Sequence, residues 1–271
     1  MKNMGEASYV IGIKIHRDRF QGILGLSQET YINKVLARFW MKNCSPSVSP
    51  IVKGDRFNLD QCPKNDIERE QMKNIPYAFA VGSLIYAQVC TRPDIAFAVG
   101  MLGRYQSNPS KDHWKAAKKV MRYLQGTKYY KLMYRRTSNL EVVGYSDSDF
   151  TSCVDSRKST PGYIFILAGG AISWRSVKQT MTATSTMEAK FISCFEATSH
   201  AAVFMAKNNK SGSQSKHINI KYLAIRERVK EKKVVIEHIS TKLMIVDPLT
   251  KGMPPLKFKD HVVNMGLSSL M

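Results

Sequence analysis

Two β-type runs, Tyr163 to Leu167 and Ala171 to Ser176, stand on either side of Ala168-Gly169-Gly170. Gly-Gly between β-rich runs signals a hairpin, because glycine supplies the positive φ that a tight turn requires. Upstream, the apolar pair Val142-Val143 leads into Gly144-Tyr145-Ser146-Asp147-Ser148-Asp149-Phe150, a run that closes on two carboxylates. Downstream, Ser185-Thr186-Met187-Glu188-Ala189-Lys190-Phe191 opens a helical pattern. Acid at the end of a strand, a hairpin, then acid on the following helix is a layout that suits a hard divalent cation. Mg²⁺ takes oxygen ligands, and carboxylates on rigid elements supply them. Two such ions can activate a water and stabilise the leaving oxygen of a phosphodiester.

The chain has 271 residues, enough for one large domain or two small ones, and 44% hydrophobic residues, enough for a packed core. Its 41 Lys and Arg against 21 Asp and Glu give a formal net charge of +20. Such an excess favours a polyanionic partner, because cations that meet phosphates release condensed counterions. A solubilising surface is the other reading of the same charge. The 5 cysteines are scattered and lack CxxC spacing, so neither a zinc cluster nor a disulfide framework fits. A reduced intracellular compartment, cytoplasmic or nuclear, is expected. The first residues carry no signal-peptide core. Tyr77 to Cys90 is the longest near-apolar run, too short to span a bilayer, and Thr91-Arg92-Pro93-Asp94 breaks it, so no membrane partner is expected.

From the start, Tyr9 to His16 and Gly22 to Leu26 read as a hairpin across Arg17-Asp18-Arg19-Phe20-Gln21. Ser27 is a plausible N-cap for a helix whose apolar face is Tyr31, Ile32, Val35, Leu36 and Phe39, with Lys34, Arg38 and Lys42 on another face. Residues 43–66 read as loop. Three helices follow: Pro76 to Val89, Pro93 to Tyr105, and a third capped by Ser110 that ends before Gly126. On the third, Trp114, Ala117, Met121 and Leu124 form the buried stripe, and Lys111, Lys115, Lys118, Lys119 and Arg122 cluster opposite as the best phosphate-facing surface. Residues 128–139 read as a linker into a strand from Leu140 to Ser146. Further on come a basic polar loop at 207–216, a charged helix at 225–233, a strand from Val234 to Ile239, and a helix start at Asp247-Pro248.

The runs Tyr-Ser-Asp-Ser-Asp-Phe at 145–150, Asp155-Ser156-Arg157-Lys158-Ser159-Thr160, Gly162-Tyr163, Gly169-Gly170-Ala171-Ile172-Ser173-Trp174, Ser185-Thr186-Met187-Glu188-Ala189, Lys216-His217-Ile218 and Asp247-Pro248-Leu249-Thr250-Lys251 resemble the ribonuclease H domain of copia-type LTR retrotransposon Pol polyproteins. The resemblance covers most of the chain. It implies two parts. Residues 1–138 would be the palm end, thumb and connection of a reverse transcriptase, an α+β segment of one hairpin and several helices, with the Lys34 and Arg38 face near the primer–template as nucleic-acid-binding residues or simply solvated. Residues 139–271 would be a ribonuclease H-like α/β domain, a mixed sheet with flanking helices. The polymerase's own paired aspartates would lie before Met1, so polymerisation is not expected.

The family activity is Mg²⁺-dependent cleavage of RNA in an RNA–DNA hybrid, with Mn²⁺ as the alternative ion and the remainder of Pol as partner. Carried over by motif, the metal-holding acids are Asp147, Glu188 and Asp247. Taken singly, Asp147 and Asp149 also read as turn acids, Glu188 as a first-turn helix acid and Asp247 as an N-cap. Arg157 and Lys158 could touch the hybrid backbone or simply be solvated. One family acid is missing. Relatives place a further strand, ending in a Cys-Asp-Asn-type motif, between the helix of Glu188 and a helix reading much like Ala201 to Asn208; here Glu196-Ala197-Thr198-Ser199-His200 runs straight into Ala201. Lys190 stands where the family commonly has an acid. These departures imply an internal deletion near residue 200, weakened metal binding and impaired catalysis. The alternatives are a non-catalytic nucleic-acid-binding remnant and a non-functional product of a degenerate element. Without Pro or Gly, residues from Thr186 to Lys207 should form one long helix. The strand from Val234 is then expected to fill the vacated place, in parallel beside the one ending at Ser146.

Overall fold

In the computed structural model of the chain, the residues described are 5–205, 227, 229–231 and 234–269. Strands β1 (Tyr9–Val10), β2 (Ile13–Asp18) and β3 (Ile23–Ser27) form an antiparallel meander, with Lys14 opposite both Tyr9 and Ser27. Helix α1 (Glu29–Arg38) follows. Its N-cap is Gln28, with no side-chain cap bond, rather than the expected Ser27, because Ser27 is taken up as the last residue of β3. The Ser27 hydroxyl accepts from the Glu29 N–H at 3.2 Å, and Ile32, Val35 and Leu36 are buried. Helix α2 (Asp66–Lys73) lies just beyond the stretch read as loop. Only Met72 of it is buried, so it lacks an apolar period to read; its signal is the cap, where Asn65 accepts from the Glu68 N–H at 2.8 Å.

Helix α3 (Tyr77–Cys90) agrees with the sequence reading. The helix expected from Pro93 to Tyr105 is broken into a 3₁₀ turn (Pro93–Ile95), α4 (Ala96–Leu102) and a second 3₁₀ turn (Gly103–Tyr105). The breaker at 91–94 is not a surface turn: Thr91, Arg92, Pro93 and Asp94 are all buried. Helix α5 (Lys111–Gly126) starts under a reciprocal cap, in which Ser110 N–H donates to His113 Nδ1 at 3.1 Å and His113 N–H donates to Ser110 Oγ at 3.3 Å.

The segment read as a linker carries strand β4 (Lys131–Arg135). It pairs with β3, Leu132 opposite Leu26, and its Leu132 and Met133 are buried. Strands β5 (Val143–Asp149), β6 (Thr160–Leu167) and β7 (Gly170–Ser176) form a second antiparallel sheet. β5 begins three residues later than expected and runs through both acids. The β6–β7 turn is the two residues Ala168 and Gly169, with φ of 53° and 79°, the pattern of a tight I′ hairpin. Helix α6 (Thr186–Met205) is one continuous helix of 20 residues, as the lack of Pro and Gly demands.

The C-terminal part departs from expectation. Residues 234–240 form no strand, and Val235 is 77% exposed. Strand propensity yields a strand only where a free edge is presented to it. The C-terminal chain instead forms α7 (Pro255–Asn264) and β8 (Leu267–Ser268), and β8 joins the first sheet with Leu267 opposite Leu132. Among the described residues both sheets are therefore antiparallel, in the orders β1-β2-β3-β4-β8 and β5-β6-β7, rather than one mixed sheet. The basic loop at 207–216 and most of the charged helix at 225–233 lie outside the described residues.

One apolar cluster runs across residue 138, joining Leu36, Leu84, Leu102 and Met121 to Ile164, Ala171, Leu249, Phe258 and Leu267. Polar ties cross there too. The Trp174 indole N–H donates to the Gln88 carbonyl at 3.0 Å, and the Asp155 carboxylate accepts from the Leu59 N–H at 2.8 Å and the Tyr105 hydroxyl at 3.1 Å. No described helix is long and apolar enough to cross a membrane.

Candidate functional site

Alternation along β5 puts Asp147 and Asp149 on one face of the sheet and Ser148 on the other. Asp147 is opposite Gly162 on β6. A Cβ at Gly162 would lie 2.9 Å from Thr250 Cγ2 and 3.1 Å from Leu249 Cβ, so the bare glycine is what lets the 3₁₀ turn Asp247–Leu249 press onto the sheet. That turn carries Asp247 and, through the Lys251 N–H bond to the Asp247 carbonyl at 3.1 Å, sets Lys251 beside it. From the other side α6 is fixed by Ser193, whose hydroxyl donates to the Asp147 carbonyl at 2.8 Å.

The outcome is a buried acid pair with an ammonium between its members. Asp147 and Asp247 are 6% and 3% exposed. Lys251 Nζ lies 3.0 Å from Asp247 Oδ1 and 3.5 Å from Asp147 Oδ2, and Lys190 Nζ of α6 lies 3.4 Å from Asp147 Oδ1. Burial pushes the Asp247 carboxyl above its ordinary range, against the pull of Lys251. Burial also raises Asp149, with Lys251 opposing and Asp147 and Asp247 adding to the rise. Burial works to lower Lys251, but Asp247 and Asp147 outweigh it and the ammonium is stabilised.

Glu188 has a different role. Its carboxylate accepts from the Thr184 N–H at 2.6 Å and from the Thr184 hydroxyl, while its own N–H donates to Ser185 Oγ at 3.1 Å. The Thr184 bonds hold its carboxyl below the usual range. These are the contacts of a helix start, and Ser-x-x-Glu at 185–188 is the sequence pattern for one. Among the described residues, no three of His, Cys, Asp or Glu gather where they could hold a metal ion. With an ammonium on each oxygen of Asp147 and Glu188 engaged at Thr184, the residues present do not fit a two-Mg²⁺ centre.

The expected cationic surface is partly self-neutralised. On α5, Lys111, Lys115 and Arg122 are exposed, yet Lys115 pairs with Asp112 at 2.9 Å and Lys119 pairs with Asp55 at 2.7 Å. Lys118 sits over the Trp114 ring, 5.7 Å from its centroid. Asp55 is far away in sequence, so only the tertiary structure could reveal that it takes up Lys119. On α1, Lys34 is exposed and Arg38 lies over the Phe79 ring at 4.9 Å. In the loop after β5, Arg157 is exposed with φ of 51°, and Lys158 Nζ donates to the Thr180 carbonyl at 2.6 Å.

Three residues of the site carried no assignment from sequence: Gly162, Ser193 and Lys251. Ser193 had a readable signal, since it shares a helical stripe with buried Ala189, Ile192 and Ala197. Lys251 had one too, standing four residues after Asp247.

No family model matches the chain, and no solved structure matches it. Curated proteins do. An acid-bearing antiparallel hairpin sheet behind a helical segment is thereby placed in a class, the Pol polyproteins of mobile elements. The chain is 39% identical, over 96% of its length, to a "Retrovirus-related Pol polyprotein from transposon TNT 1-94" of Nicotiana tabacum. It is 30% identical, over 98% of its length, to the corresponding protein from transposon RE2 of Arabidopsis thaliana. A third relative, "Secreted RxLR effector protein 161" of Plasmopara viticola, is 49% identical over 48% of the chain and 92% of that protein. The chain belongs to the Pol polyproteins of copia-type retrotransposons. It spans 21% and 20% of the lengths of the first two relatives.

Proposed function

We propose that this chain is the reverse-transcriptase end and ribonuclease H-like part of a Pol polyprotein, one that contacts RNA–DNA hybrid or other nucleic acid while its hybrid-cleaving chemistry is impaired. The observation that carries this reading is the state of Asp147: an ammonium faces each of its oxygens, and Glu188 is engaged elsewhere. The absence of an Asp between Glu188 and Lys216 supports it, because a missing ligand leaves more uncompensated positive charge around bound dications. Binding of Mg²⁺ or Mn²⁺ is accordingly weak. The net charge of +20 supports phosphate contact, with α5 as the main face and the rest of Pol as the partner in intact relatives.

The test is cleavage of an RNA–DNA hybrid in Mg²⁺ by this chain, by Asp147→Asn, and by a version with the family's strand and its Asp restored after residue 200. The chain should match the Asp147→Asn background, and the restored version should exceed both. Cleavage by the unaltered chain that Asp147→Asn abolishes would overturn the impairment.

A further inference from the structure

We propose that Lys251 is a tethered, displaceable cation for the Asp147–Asp247 pair: it holds the two carboxylates together in the absence of a divalent ion, and a divalent ion binds there only by displacing it. The inference rests on the reading of this site given above, and concerns what occupies it.

Asp147 comes from β5 and Asp247 from a turn one hundred positions later in the chain. Both are nearly buried, and two unscreened carboxylates at one place repel each other. The Lys251 ammonium reaches both, at 3.0 Å and 3.5 Å, and so converts a repulsion into the contact that docks the turn. Because Lys251 follows Asp247 by four residues on the same turn, its ammonium is always at hand and needs no ion from solution. Its side chain is 35% exposed, so the stem can swing outward without disturbing the core. Lys190 reinforces it from α6 by a single contact at 3.4 Å, with its side chain 58% exposed. A dication arriving at the acids meets these ammonium groups at close range, where like-charge repulsion is strong even at a surface dielectric.

The experiment uses the full chain and Mn²⁺, with free Mn²⁺ read by electron paramagnetic resonance and thermal melting read with and without the ion. The unaltered chain should bind Mn²⁺ weakly, and its melting should be insensitive to it. Lys251→Met should melt at a lower temperature without metal, regain stability with Mn²⁺, and bind the ion about tenfold more tightly or better, as loss of one adjacent like charge requires. The double variant Lys251→Met with Asp147→Asn should lose that gain. Unchanged Mn²⁺ affinity in Lys251→Met, or a gain that persists without the Asp147 carboxylate, overturns the proposal. If Lys251→Met fails to fold, Lys251→Gln, which keeps a polar donor without the charge, decides: tighter Mn²⁺ binding supports the displaceable-cation reading, and unchanged affinity overturns it. Hybrid cleavage by the unaltered chain would strike the impairment alone, since the affinity ratio is measured without substrate.

Discussion

Arg92 and Asp94, two positions apart, face each other as a two-pronged ion pair with neither side chain exposed: Nε to Oδ1 is 3.0 Å and Nη2 to Oδ2 is 2.7 Å. Two further guanidinium protons go to the Thr127 carbonyl and hydroxyl at 3.2 Å and 2.7 Å, and the Tyr123 hydroxyl donates to Asp94 Oδ2 at 2.6 Å. The rings of Tyr123 and Tyr130 flank the guanidinium at 5.4 Å and 5.8 Å. This network ties the turn after α3 to the end of α5. Removing one partner strands a buried charge, so Asp94→Ala should cost about 3–5 kcal/mol, read as a lowered urea midpoint. A change within the scatter of surface substitutions would show that the pair is not the junction it looks to be.

Gly162→Ala tests how the acid pair is assembled. The added methyl would sit 3.2 Å from the Leu249 carbonyl as well as against the Thr250 and Leu249 side chains, so the turn bearing Asp247 must move off the sheet. Destabilisation of about 1–3 kcal/mol is expected for such overpacking. Amide exchange in residues 247–251 should rise selectively, whereas uniform exchange across the chain would mean that Gly162 serves only the β5–β6 pairing.

The histidine contribution to stability should fall as the solution is acidified from about pH 7 to about pH 5, opposed by the raised carboxyls of Asp149 and Asp247, which bind a proton more readily when folded. Burial lowers the pKa of His113, with Asp112 and Asp155 opposing, and burial likewise lowers His16, His200 and His261. A histidine whose folded pKa lies below its unfolded value binds its proton more readily when unfolded. Its contribution is therefore complete above the unfolded value and is lost as pH falls. His113 has a structural reason to resist protonation, because its Nδ1 accepts from the Ser110 N–H. His113→Gln keeps a capping-box side chain without the titration, so its stability–pH slope should be the shallower one. Identical slopes would remove His113 from the account.

Binding to hybrid nucleic acid should weaken steeply with salt. Reversing the charge of the exposed α5 residues Lys111, Lys115 and Arg122 should reduce the log–log slope by about one for each residue that meets a phosphate. Reversing Lys119, already paired with Asp55, should mainly reduce stability. An unchanged slope in the triple variant would move the contact surface away from α5.

The elements legible in the sequence were those whose signal is local. The hairpin across residues 17–21, the cap at Ser110, the turn at Ala168-Gly169 and the uninterrupted α6 each follow from a few neighbouring residues. The resemblance carried over Asp147, Glu188 and Asp247 as one set, with Asp147 and Glu188 expected to lie together, and marked Lys190 as out of place; in the structure Asp247, not Glu188, stands beside Asp147 through Lys251. It could not find β4, because Lys-Leu-Met-Tyr-Arg at 131–135 becomes a strand only between the edges of β3 and β8. For the same reason Val234 to Ile239, the more strand-like text, stayed unpaired.

By itself, then, the sequence determined the hairpin turns, the Ser110 cap, the unbroken α6, the charge, the candidate acids and the family resemblance, since backbone sterics, capping and composition act within one turn or a few residues. The tertiary structure decided which edge the C-terminal strand takes, that Lys119 is bound to Asp55, and that Lys251 stands between Asp147 and Asp247. Those outcomes depend on free energies of groups far apart in the chain, buried side by side only once a glycine at 162 lets a distant turn close onto the sheet.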